Sequence, residues 1–75
     1  MYIVMEAVDN VSYLKYIGNK LAEMHLEVLN LVEKYAGKDC WLYGETVNRL
    51  LRKDDGFIHL HSSMEKPYTI TWAKV

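Results

Sequence analysis

His59 and His61 are the residues of this 75-residue chain whose types and spacing come nearest to chemistry. Separated by one residue in an alternating stretch, their imidazoles fall on one face of a strand about 7 Å apart, a spacing that two ligands of a zinc site can adopt. A zinc site needs a third ligand. Cys40 and His25 qualify by type, but no C-x-x-C or H-x-x-x-H pattern ties either of them to the pair. The plainer reading is two half-exposed strand histidines facing threonines, so no metal or other cofactor is expected. Nucleophilic catalysis is no better supported, because Cys40 lies between Asp39 and Trp41 with no neighbouring cation in sequence to activate it. Asp54-Asp55 is the one adjacent carboxylate pair, in a turn that reads as solvated, and there is no glycine-rich phosphate loop. An enzyme is not expected, which turns attention to contact.

One contact surface suggested by the sequence is basic. Asn48, Arg49, Arg52 and Lys53 fall on the exposed side of an expected short helix, followed by Gly56-Phe57-Ile58-His59-Leu60-His61 and Tyr68-Thr69-Ile70-Thr71-Trp72. The order helix, tight turn, helix and hairpin resembles the recognition helix and wing of winged-helix domains over roughly residues 30–75. The resemblance implies a nucleic-acid-binding role for Asn48, Arg49, Arg52 and Lys53. It departs from that pattern in having two clear helices before the wing, and in Glu45, Asp54 and Asp55, which offset the cations. Nucleic-acid binding is therefore the second reading.

The first reading comes from the elements. Leu14, Ile17, Leu21, Met24, Val28, Leu31 and Tyr35 recur at spacings of three and four, which predicts a long amphipathic helix over Val11–Ala36. Val11, Ala22, Leu29, Val32 and Ala36 widen its apolar arc to about half the circumference, against a usual stripe of about 100°. Asp9 or Asn10 is expected to cap its start and Gly37 to end it; Gly18 is its weak point, a kink or a restart capped by Asn19. At about 1.5 Å per residue such a helix spans about 39 Å and overhangs a domain only about 30 Å across. In a continuous helix, Gly18→Ala is expected to stabilise by up to about 1 kcal/mol.

Around this helix, residues 2–8 read as a strand or N-terminal arm. A second helix lies between Asp39 and Lys53, secure from Glu45, with Cys40, Tyr43, Val47, Leu50 and Leu51 on one face and Trp41–Tyr43 as a loop or short strand. Residues 57–63 and 68–75 alternate as a β-hairpin about a turn at Met64–Pro67, with Ile58, Leu60, Ile70 and Trp72 on its core face. The fold class is α+β.

Composition limits the partners. A chain this short buries only about 60% of its unfolded surface, and its single cysteine excludes an internal disulfide, so a partner chain is the expected source of extra stability. A formal net charge of −1 creates no field for nucleic acid or acidic membrane. No targeting segment or membrane span is legible, and a cytoplasmic location is expected. The sequence thus suggests a non-enzymatic protein–protein interaction protein, an adaptor or a small inhibitor of the kind phages encode against host machinery, anti-CRISPR proteins included. That last step rests on size and missing catalytic motifs. The expected contact residues are Tyr13, Tyr16, Met24, Leu26, Val28 and Leu31, and the expected assembly is a homodimer in which the 11–36 helix meets its own copy.

Overall fold

Asp9 and Asn10 do not cap a helix. Both take positive φ, 53° and 67°, and this pair of left-handed residues forms a two-residue turn that pairs Val8 directly with Val11. Asn and Asp tolerate that conformation better than other side-chain-bearing residues, and its twist matches that of two antiparallel strands. The computed structural model, which describes residues 1–50, 52–60 and 66–75, accordingly continues as a strand where a helix is expected. The elements in order are β1 (Tyr2–Val8), β2 (Val11–Gly18), α1 (Leu21–Ala36), α2 (Trp41–Leu50), β3 (Gly56–Leu60) and β4 (Tyr68–Lys74). The α+β class stands, with the N-terminal strand now half of a hairpin.

The helical spacing over residues 11–18 has a specific cause. The β1–β2 register shifts between Val4 and Met5: Tyr16 pairs with Val4 and Leu14 with Met5, leaving Lys15 as an extra residue in β2. An extra residue reverses the alternation of faces. Tyr13 and Tyr16 therefore share one side and Leu14 and Ile17 the other, each pair three apart, as they would be on a helix.

All four strands are antiparallel, in the order β2-β1-β4-β3. The C-terminal hairpin forms with the expected faces, Ile58, Ile70 and Trp72 buried and Leu60 packed beside them. Leu51, His61 and the first half of the expected Met64–Pro67 turn lie outside the described residues. Both helices pack on one side of the sheet. From α1, Met24, Val28, Leu31 and Val32 are buried against Val4, Ile58, Tyr68, Ile70 and Trp72, and Leu50 of α2 joins them. Full burial of one such side chain is worth about 1.5–3 kcal/mol.

With its start at Leu21, α1 is about 24 Å long and stays within the molecule's 36 × 26 × 15 Å extents, so it does not overhang. Its first turn has no side-chain cap, Lys20 being extended, while Glu23 faces the positive dipole end. The expected C-terminus is found: Gly37 at φ 83° donates its N–H to the Glu33 carbonyl at 2.9 Å. In α2, Trp41–Tyr43 is helical rather than a loop or strand. Among the described residues no helix is long and apolar enough to cross a membrane.

Gly18 ends β2, and a Cβ there would meet the Tyr16 ring, lying 2.8 Å from its Cζ. The Tyr16 hydroxyl donates to the Lys20 carbonyl at 3.3 Å, so the ring must leave this bond to make room. Gly18→Ala should therefore destabilise by about 1 kcal/mol in urea unfolding, the reverse of the helical expectation. The loss should vanish in a Tyr16→Ala background. A gain in stability would overturn this account.

Candidate functional site

The sheet has a second face, and neither helix covers it. On β1, β3 and β4 the even-numbered residues point at the helices and the odd-numbered ones away. The register sets the outward residues in three rows running across the sheet. One row is Phe57–Thr71–Met5–Leu14, the next Ala73–Ile3–Ile17, the third His59–Thr69–Ala7–Ser12. Leu14 is 55% exposed, Ile17 54% and Phe57 67%. His59 and Thr69 share a hydrogen bond of 2.9 Å, as the pairing of histidine with threonine anticipates.

No Asp, Glu, Lys or Arg stands in these rows. The three charged residues on strands, Glu6, Lys15 and Lys74, all lie on the helix side. Lys74 sits over the Tyr2 ring at 5.9 Å, and Lys15 reaches Glu6 Oε1 at 3.5 Å.

Glu6 lies beneath the open face and holds it in shape. It is 4% exposed, accepts a hydrogen bond from the Tyr68 hydroxyl and sits 3.8 Å from Lys34 Nζ. Tyr68 in turn stacks on Tyr35 with ring centroids 4.4 Å apart. One carboxylate thus ties β1 to β2, β4 and α1. Burial pushes the Glu6 carboxyl up, but the Tyr68 hydrogen bond and the charges of Lys15 and Lys34 outweigh it and leave the group below its ordinary value. Tyr68 moves the opposite way, raised by burial, by its bond to Glu6 and by the carboxylate charge.

The contact residues suggested by the sequence scatter. Met24, Val28 and Leu31 are core residues; the seam read as a dimer interface is used up inside the molecule, because it faces the sheet. Tyr16 packs against that core and bonds Lys20. Tyr13, 48% exposed, pairs with Glu6 on the helix side of edge strand β2, and Leu26, 58% exposed, is on α1. Neither belongs to the open face. Asn48, Arg49, Arg52 and Lys53 are exposed at the end of α2 and just beyond it. Arg49, Arg52 and Lys53 form no ion pair among the described residues, so Glu45, Asp54 and Asp55 do not clamp them. β4 of the hairpin expected to serve as a wing is also paired with β1 along its length, and the tip of that hairpin lies outside the described residues.

Among the described residues no three His, Cys, Asp or Glu side chains converge as a metal site. Sequence reasoning missed the face itself. Its signal was the apolar odd positions Ile3, Met5 and Ala7 of a strand whose even positions, Glu6 apart, are Tyr2, Val4 and Val8, a pattern of burial on both sides. No family model, curated protein or solved structure matches this chain.

The Glu6 cluster carries a pH signature. A carboxyl lowered on folding adds stability above its unfolded value, near 4.5, and that contribution disappears as pH falls through the lower folded value. Glu6→Gln should therefore lose about 1–3 kcal/mol at neutral pH, with the gap to wild type narrowing as pH falls below the unfolded value. Chemical denaturation across that range checks it; a gap independent of pH would assign the loss to packing alone.

Proposed function

We propose that this chain is a non-catalytic protein-interaction module that binds through the open face of its sheet. The observation that carries the reading is the absence of charge from that face. With 25% of the chain charged, eleven solvent-facing positions would ordinarily hold about three Asp, Glu, Lys or Arg, and charge depletion is the compositional mark of an interface centre. Exposed Leu14, Ile17 and Phe57 supply the large apolar anchors. A sheet face meant for water alternates apolar with charged or polar residues, and here the alternation is missing on β1.

A second copy of the chain is the first occupant to test, since an uncharged face is complementary to itself under two-fold symmetry. Six half-exposed anchors, three from each copy, gain about 6–9 kcal/mol on burial against an association cost of about 4–15 kcal/mol. Self-association by this route is weak and concentration-dependent. The dimer thereby moves from the helix seam to the sheet. The phage-inhibitor and anti-CRISPR expectations rest on size and missing motifs, and nothing in the fold adds to them.

Leu14→Lys with Ile17→Lys should leave the circular dichroism spectrum unchanged, because both side chains are already solvent-facing. Sedimentation at high micromolar concentration should then show a mass above the monomer for wild type and the monomer for the variant. A wild-type monomer throughout would exclude the second copy as occupant. If the same two lysines also left capture of a protein partner intact, the open-face reading would fail.

A further inference from the structure

A second opening lies at the β3 edge of the sheet, where Phe57 and His59 belong both to it and to the open face. Between α2 with the turn after it and the outer edge of β3 there is a cleft of about 670 Å³, within the range of about 300–1,000 Å³ usual for ligand-holding clefts. Trp41, Leu42, Arg49 and Lys53 form one wall, residues 55–59 the other, and Trp72 also lines it. Among the described residues the sheet order leaves β3 without a strand neighbour on this side. An edge strand presents unpaired backbone N–H and C=O groups, a template for one more strand.

We infer that this cleft takes an extended acidic peptide segment of a partner protein, added as a strand along β3 with its carboxylates on Arg49 and Lys53. Three features select that occupant. The free edge offers a backbone ladder that only another polypeptide can use. Arg49 and Lys53 face the cleft and make no ion pair among the described residues, so an incoming carboxylate meets uncommitted cations. Trp41, 78% exposed, is the most exposed large apolar side chain on the described surface, and with Leu42 it offers an apolar seat between those cations and the strand edge.

Two further details fit. The Trp72 indole N–H is buried without a hydrogen-bond partner among the described residues, a donor left over beside a cleft. Asp55 also lines the cleft, and its carboxylate orients an acidic segment so that its charges lie towards Arg49 and Lys53. A single-stranded nucleic acid could stack on Trp41, but it cannot pair with β3. With two cations and one carboxylate on the walls, it would also gain little from phosphate neutralisation.

The test uses the full chain and three fluorescent probes at low salt: an eight-residue peptide alternating Glu and Val, its Lys-for-Glu counterpart, and an oligothymidylate. The acidic peptide should bind by anisotropy, with amide shifts in the protein concentrated at residues 57–60. The Lys peptide should not bind. Arg49→Glu with Lys53→Glu should weaken the acidic peptide by about tenfold or more, and N-methylation of alternate peptide amides should abolish binding. Leu14→Lys with Ile17→Lys should leave it unchanged, which separates this site from the open face. Each of the following would overturn the proposal: no binding at millimolar peptide, equal binding of both peptides, insensitivity to the charge reversals or to N-methylation, loss on altering Leu14 and Ile17, or tighter binding of the oligothymidylate. The last would assign the cleft to nucleic acid.

Discussion

A carboxylate placed under the middle of a sheet is costly unless every neighbour answers it, and Glu6 sets that requirement for this fold. Desolvating an ionised carboxyl is repaid only by close cations and donated hydrogen bonds. Here they come from three other elements: Lys15 of β2, Tyr68 of β4 and Lys34 of α1. Lys15 serves because it is the extra residue of the β2 bulge. On the helix side of an edge strand, its long stem can carry the ammonium in to Glu6 while a third of the side chain stays exposed. The same bulge reverses the side-chain alternation, so Leu14 and Ile17 both end on the uncovered face. One irregular residue thus supplies a partner to the buried charge and brings Leu14 and Ile17 onto the open face.

The molecule separates its charged and uncharged surfaces by layer. The helix side carries the ion pairs of Glu6 and the strand charges, and the outward rows of the sheet carry none. Such a division leaves the uncharged row Phe57–Thr71–Met5–Leu14 continuous across four strands and Ala73–Ile3–Ile17 across three, and one lysine at Met5 or Thr71 would break the first. The sheet edges differ in the same spirit. β2 is guarded by its bulge and by Lys15, two devices that discourage further pairing. β3 has neither, only brevity, five residues long, and a helix standing off at the width of a cleft.

Much of the architecture could be read from residue types where local rules and tertiary needs agree. The β-branched and aromatic run Tyr2–Val8, the Gly37 helix stop and the alternation through Ile58, Leu60, Ile70 and Trp72 each have one dominant cause, and each is found in place. Of the helix expected over Val11–Ala36, the part from Leu21 to Ala36 is helical. Reading it as an interface failed because an amphipathic arc says that a face must be covered and not by what. The four-stranded sheet covers it, and one of its strands, β2, reads as helix in the sequence.

Sequence alone determined the α+β class, the single α1 terminus at Gly37, the C-terminal hairpin and its buried face, because these depend on φ preferences and on periods of two or of 3.6 within a few neighbouring residues. Three things were decided only in three dimensions: the strand identity of Val11–Gly18, the burial of Glu6 and the uncharged open face. A bulge imitates helical spacing, so Leu14 and Ile17 extend a seam they do not belong to, and the pairing of β1 with β2 across the Asp9-Asn10 turn and with β4 breaks the tie. A face made of four strands, drawn from the two ends of the chain, has no period in sequence at all. Its rows exist only once Met5 lies between Thr71 and Leu14.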